Sequence, residues 1–341
     1  MKLALALDSW ASAGFDLPIE QVLLAEALGY DSVWTAEAYG ADALTPLAYL
    51  AAKTERIKLA TGIVQISART PAAAAMAFAT LESLAGEGRV IAGLGLSGPQ
   101  IVEGWYGEPW AKPLSRMRDY VAIMRQVFRR EGPVAHDGRA IKLPYDGADA
   151  TGVGKALKPI LHPNPALPIY IAAGGPEMVA LAAEIADAWI PMGLSPANAN
   201  EFKAALDKGA ARRDPLLAPL LIHGSTSVRI TDDVAGTIAR MKPRTALYVG
   251  GMGSKEHNFH KDAMARRGYA AEAERIQELF LAGKREEAVA TVPDEYLDEG
   301  ALLGSPARIK ERFGAWAGSG VDALTIHTDQ TEALELMATL I

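Results

Sequence analysis

Short apolar runs alternate with longer amphipathic stretches along almost the whole chain, and that rhythm leaves few folds open. Residues 2–7, 31–35, 57–63, 89–96, 168–173, 186–191, 219–229 and 322–327 read as strands. Several lack in/out alternation, as Arg89-Val-Ile-Ala-Gly-Leu-Gly-Leu96 shows, which is what parallel strands covered on both faces require. Helical patterns fill the intervals at 18–28, 44–54, 71–85, 113–130, 176–185, 197–211, 231–241 and 329–340. Pro18, Pro71 and Pro176 stand where helices would open, a position at which the missing N–H costs nothing. Gly29 and Gly86 stand where helices would close. Eight strands and eight helices in alternation are the arithmetic of an α/β fold of the (β/α)8 TIM-barrel type. A doubly wound sheet with a second domain is the alternative.

Two stretches break the rhythm. Residues 131–167, rich in Gly, Pro and Asp, read as an insertion after the fourth strand with a short hairpin-like segment. Residues 242–304 form a longer excursion before the last helix–strand pair. The chain is thus expected to be one barrel domain, 1–341, with two insertions.

Composition narrows the function. The 341 residues carry 34 Lys plus Arg against 41 Asp plus Glu, a net charge of −7, and no basic block. That balance argues against nucleic acid or an anionic membrane as the partner. The absence of cysteine excludes disulfides, thiolate metal sites and cysteine nucleophiles. The apolar start ends at Asp8, too early for a signal peptide, and no run reaches the length of a membrane span. A cytoplasmic enzyme acting on a small molecule is the expectation.

In a barrel, active sites lie where strands end. Asp8, Ser9, Glu37, the Gly62-Ile63-Val-Gln65 stretch, the Ser97–Gly107 loop, Ala173-Gly-Gly-Pro176 and His327 all fall at such ends. Gly93-Leu-Gly95-Leu-Ser-Gly98 matches the dinucleotide fingerprint, but Pro99 and a Gly/Trp-rich loop follow where that motif needs a helix. The Gly174-Gly175-Pro176 turn suits a phosphate, since glycines let the ligand approach and a helix opens with unsatisfied N–H groups; a ligand-free tight turn reads equally well. Asp8, Glu37, Glu103 and His327 are the acid–base candidates. His257 and His260 lack a third ligand nearby and read as a solvated or stacking pair, not a metal site. Trp105, Tyr106 and Trp110 could stack on a planar cofactor or cover the barrel mouth.

Together, Leu59-Ala-Thr-Gly-Ile63, Gly93-Leu-Gly-Leu-Ser-Gly-Pro-Gln-Ile-Val-Glu-Gly-Trp-Tyr-Gly107, Tyr170-Ile-Ala-Ala-Gly-Gly-Pro176 and the ending Gly304-Ser-Pro-Ala-Arg-Ile-Lys-Glu-Arg-Phe313…Gly320-Val-Asp-Ala-Leu324 resemble the luciferase-like flavin and deazaflavin oxidoreductases. The Ser97–Trp105 piece points to the branch using coenzyme F420. The resemblance implies a homodimer and a cofactor ring in the barrel mouth, with a non-prolyl cis peptide at Gly62–Ile63 behind it. It implies cofactor contacts at Gly62, Ile63, Gln65, Ser97, Gly98, Gln100, Ala173, Gly174, Gly175, Glu177 and Met178. Trp10, Tyr39, Trp105 and Met192 are expected to wall the substrate pocket, with Glu37 or Asp8 handling the proton. The chain departs from the family's sugar-phosphate and alcohol dehydrogenases, which carry Asp-His where Glu37-Ala38 stands, and it lacks their phosphosugar-binding lysine pair. The alternatives are an FMN-dependent monooxygenase of the same fold and a barrel that binds deazaflavin without turnover.

Overall fold

The computed structural model describes residues 1–7, 14, 16–253, 255–256 and 258–341. Among them, eight parallel strands close into a ring: β1 (Lys2–Ala6), β2 (Ser32–Thr35), β3 (Lys58–Thr61), β4 (Val90–Gly95), β5 (Ile169–Ala173), β6 (Ala188–Pro191), β7 (Leu221–Ile230) and β8 (Ala323–His327). Each pairs with the next, and β8 returns to β1 through Leu3↔Leu324 and Leu5↔Ile326. Closure is the TIM-barrel expectation met, and it excludes the doubly wound sheet.

The strands alternate in size rather than polarity. Leu3, Leu5, Val33, Leu59 and Val90 belong to the layer shared with the helices, whereas Ala4, Trp34, Ala60, Ile91, Tyr170 and Ala188 pack with one another inside the ring. Alanines at three of these six interior positions leave room for larger side chains, and the Trp34 and Tyr170 rings lie 5.9 Å apart across the centre. Both faces are apolar, so the period of two is hidden from a polarity scan.

The run expected over 57–63 is interrupted. β3 pairs with β4 as far as Ala60↔Ile91, the chain bulges at Gly62–Ile63, whose peptide is cis, and Val64–Gln65 pairs again with Leu94 and Gly95. Thr61 bridges the gap: its hydroxyl accepts from the Gly93 N–H at 2.9 Å and donates to the Gly93 carbonyl at 2.8 Å.

The surrounding helices are α1 (Ile19–Ala27), α2 (Leu44–Ala51), α3 (Pro71–Ala85), α4 (Pro99–Gly104), α5 (Pro113–Arg129), α6 (Pro176–Ile185), α7 (Lys203–Ala210) and α8 (Val234–Gly251). Three differ from the sequence reading. A short helix, α4, stands where a loop was expected after Gly98. The pattern over 197–211 divides into a 3-10 turn, Pro196–Phe202, and α7. The helix expected to stop at 241 continues through Pro243 to Gly251. Proline removes one intrahelical bond, but packing of Ala246 and Val249 on the insertion's own core holds the second half in place.

The first insertion carries the hairpin His136–Asp137 with Lys142–Leu143, pinned by Asp119, which accepts the N–H groups of Ala140 and Ile141 at 2.7 and 3.0 Å. The second holds α9 (Phe259–Met264), α10 (Ala270–Leu281), α11 (Arg285–Thr291) and α12 (Asp294–Glu299), built on a separate apolar cluster that includes Met264, Ile276 and Leu279. Leu302–Gly304 then extends the sheet beside β7, and α13 (Pro306–Gly318) and α14 (Thr331–Ala338) flank β8. No helix among the described residues is long and apolar enough to cross a membrane.

Candidate active site at the mouth of the barrel

A cavity of about 460 Å³ opens at the C-terminal ends of the strands. It gathers Glu37, Tyr39, Gly62, Ile63, Gln65, Ser97, Gly98, Gln100, Ala173, Gly174, Gly175, Met178 and Met192, all chosen from the sequence, together with His327. Two expected members are elsewhere. The Glu177 carboxylate is outside the cavity wall and pairs with Lys208 at 2.6 Å, because its place in the first turn of α6 turns it to the surface. Trp105 is 63% exposed and outside the wall, because α4 ends just before it. Asp8, Ser9, Trp10 and His257 lie outside the described residues. Glu103 is also off the site, accepting the Trp110 N–H at 3.2 Å.

The bulge positions one wall. The Glu37 N–H donates to the Ile63 carbonyl at 3.0 Å, and Gln65 Nε2 donates to the Glu37 carbonyl at 3.1 Å. The other end of the Gln65 amide, Oε1, is buried with no partner among the described residues. Leaving such an acceptor dry costs on the order of 1–3 kcal/mol, which a bound N–H or O–H donor would offset. Across the mouth, Gly175 caps α6 with no side-chain bond, so the first N–H groups of the helix are available to an anionic group. A Cβ built on Gly175 would meet nothing within 4 Å, so the approach is open.

Glu37 is enclosed, its side chain 5% exposed, with Arg69 Nη1 at 3.0 Å from Oε2 and the Tyr106 hydroxyl at 3.4 Å from Oε1. Burial raises its pKa above the usual carboxylate range, with Arg69 pulling the other way.

Several cavity residues escaped the sequence reading. His223 and Ser225 line the floor with Thr325, and Tyr248, Phe259 and His260 roof it from the insertion. The His223 ring lies 4.4 Å from that of Trp34, and its Nε2 shares a 2.7 Å hydrogen bond with the Thr325 hydroxyl. The signal for His223 was parity: Gly224 faces Trp316 on the helix side, so His223 and Ser225 must face the barrel. The roof had no local signal. His260 does stack, edge-on to Tyr248 at 4.6 Å, and no cluster of three metal-ligating side chains exists among the described residues.

The family model for the luciferase-like monooxygenases matches residues 9–323. The chain belongs to that family. It is 44% identical over 344 residues to a Mycobacterium tuberculosis protein described as a candidate coenzyme F420-dependent oxidoreductase, spanning 100% of this chain and 99% of that one. It is 30% identical over 330 residues to the 5,10-methylenetetrahydromethanopterin reductase of Archaeoglobus fulgidus, spanning 93% and 92% of the two chains. The same architecture occurs in the F420-dependent tetrahydromethanopterin reductase of Methanopyrus kandleri, with a TM-score of 0.78 at 22% identity over 100% of this chain and 98% of that one.

Burial depresses the His223 pKa from 6.5 to about 4, so the folded protein refuses a proton that the unfolded chain accepts. Between those two values stability therefore falls as pH falls, by about 1.4 kcal/mol per pH unit for one such group. Thermal unfolding across that window should show His223→Gln losing less of its midpoint on acidification than the parent does. An equal loss would mean that His223 titrates normally in the folded state.

Proposed function

We propose that the chain is an oxidoreductase using coenzyme F420, with the deazaflavin in the mouth cavity and a small organic substrate beside it. The observation that carries the reading is Oε1 of Gln65, buried with no partner among the described residues in a cavity whose lining is mainly apolar, a setting that fits a flat ring with a hydrogen-bond donor at its edge. End-to-end similarity to the mycobacterial relative supports F420 as the ring's identity. Gly62, Ile63 and Gln65 would hold the ring, and Ser97, Gly98 and Gln100 would flank it. Ala173, Gly174, Gly175 and Met178 would meet the phosphate-bearing arm, with Glu177 contributing its backbone N–H alone. When bound, the deazaflavin supplies a two-electron hydride transfer and reacts poorly with oxygen.

The chain's own residues supply enclosure and a proton. Met178, Met192, Met252 and Ile101 exclude water from the mouth. Tyr39, whose hydroxyl reaches Met252 Sδ at 3.4 Å, ties the loop after β2 to the insertion above it. Glu37 holds a proton at its carboxyl more readily than an exposed glutamate, which suits a general acid. Asp8 is the second candidate for that role.

The chain, 1–341, works on this reading as one barrel domain with two excursions. We place its work in the cytoplasm, which fractionation of the producing cells checks. We further propose a homodimer formed through α3, whose outward residues Ala73, Met76, Thr80, Ser83 and Leu84 carry no charge, and which packs on α2, where Tyr49 is also exposed.

Three measurements test these readings. Fluorescence titration should give micromolar or tighter binding of F420 and clearly weaker binding of FMN. Gly175→Val should weaken F420 binding about tenfold without unfolding the protein, since the new side chain fills only the approach. Equal affinity for the two cofactors would favour the FMN monooxygenase. In single-turnover kinetics Glu37→Gln should keep cofactor affinity and slow the chemical step by about 10²-fold. If Asp8→Asn shows that loss instead, the role passes to Asp8; if neither does, the barrel binds deazaflavin without using these carboxylates. Sedimentation should find a dimer that the double variant Met76→Glu, Leu84→Glu converts to monomer, and an unchanged dimer would place the interface elsewhere.

A further inference from the structure

The proposed role of Glu37 raises a physical difficulty. A carboxyl this deeply buried would hold its proton too firmly and swing freely if nothing gripped it. The grip comes from the loop before α3. Arg69 Nη1 lies 3.0 Å from Glu37 Oε2, and Nη2 of the same guanidinium lies 3.4 Å from Asp42 Oδ1. One cation thus spans two carboxylates of different surroundings, since Glu37 is enclosed and Asp42 is 41% exposed at its side chain.

The clamp is fixed from both sides. The Tyr120 hydroxyl of α5 donates to the Arg69 carbonyl at 3.1 Å. Asp42 is held in turn by Thr45, whose N–H donates to Oδ2 at 2.7 Å and whose hydroxyl donates to the same oxygen. Burial alone would favour its neutral form, but those hydrogen bonds outweigh it and keep Asp42 ionised. Among the described residues, the groups that bear on Glu37 are therefore Arg69, Asp42 in its own loop, Tyr106 beyond α4 and Tyr120 on α5.

We infer that Arg69 is a positioning residue, gripping Glu37 and Asp42 at once so that the Glu37 carboxyl stays in the cavity wall and can both release and recover its proton. The inference rests on the proton-transfer reading of Glu37. Its sign is fixed by Coulomb's law. The cation favours the ionised carboxylate, and Asp42 weakens that effect by repelling Glu37 and by sharing the same guanidinium. Removing Arg69 and removing the Asp42 charge must therefore push Glu37 in opposite directions. A clamp that held Glu37 by packing, without its charges, would not produce that pair of signs.

The test uses the full chain carrying isotope-labelled glutamate carboxyls followed by NMR through a pH titration, with Glu37→Gln identifying the Glu37 signal. Arg69→Gln should move the Glu37 titration up by about one pH unit. Asp42→Asn, which keeps an acceptor for Thr45, should move it down by a smaller amount, and Arg69→Lys should return most of the upward displacement. A Glu37 titration that ignores Arg69→Gln, or that moves the same way in both variants, overturns the inference. Should Arg69→Gln fail to fold, the absence of a downward movement in Asp42→Asn overturns it alone. The two readings fail separately. If the titrations move as expected while Glu37→Gln leaves the chemical step intact, the grip stands and the proton role falls.

Discussion

The hydroxyl of Thr61, bonded to both the N–H and the carbonyl of Gly93, is the joint on which the site is built. A parallel ladder that simply continued would keep β3 in register with β4 and leave the mouth lined by two straight strands. Thr61 completes the hydrogen bonds of β4 with its side chain and so lets its own backbone part from β4 while staying paired with Thr35 of β2. The chain can then bulge at Gly62–Ile63 and rejoin at Val64 without orphaning the peptide groups of β4. The approach is too close for any side chain at 93, where a Cβ would stand 1.7 Å from the Thr61 carbonyl oxygen. At Gly95 a Cβ would come within 2.6 Å of Ile63 Cδ1, so any larger residue there would push the Ile63 side chain aside.

That packing gives the Gly93-Leu-Gly95 pattern a meaning unlike the one its spelling suggests. In a dinucleotide fingerprint the glycines admit a pyrophosphate. Here the two glycines admit the neighbouring strand's bulge. The third member, Gly98, precedes a short helix where the sequence suggests a loop, and the closed barrel is what separates this chain from a nucleotide-binding sheet. The motif was visible, but its partner lay some thirty residues away on another strand, and single-chain spacing carries no record of which residue a glycine makes room for.

The same division runs through the rest of the molecule. Strands and helices of the ring were legible because each must cover both faces of a parallel sheet, which imposes apolar runs punctuated by proline and glycine at helix ends. Glu37, Gln65, Ser97 and the Gly174–Gly175 turn were legible because strand ends converge by construction. His223 was hidden by a barrel interior as apolar as its exterior, which leaves parity without a polarity mark. The roof of Tyr248, Phe259 and His260 was hidden because it depends on how the second insertion folds over its own core, with α8 continuing through Pro243. Trp105 misled for the converse reason: aromatic character marks a surface worth covering but does not say which side of a short helix it will leave.

Glu37 stands where these two kinds of information meet. Its backbone is fixed by the bulge, through Ile63 and Gln65, and its side chain by Arg69 and Tyr106 from segments far along the chain. The first set places the carboxyl at the cavity regardless of its charge. The second set decides the charge, since enclosure favours the neutral acid and the guanidinium favours the ion. A histidine in the same enclosure would be driven the other way, as His223 is by its own burial, and would sit neutral without a partner carboxylate to sustain its cation. A glutamate faced with an arginine therefore does by opposition what a histidine beside an aspartate does by support. Each pairs one group that burial would neutralise with a fixed opposite charge, which is the electrostatic setting that the proton transfer proposed for Glu37 requires.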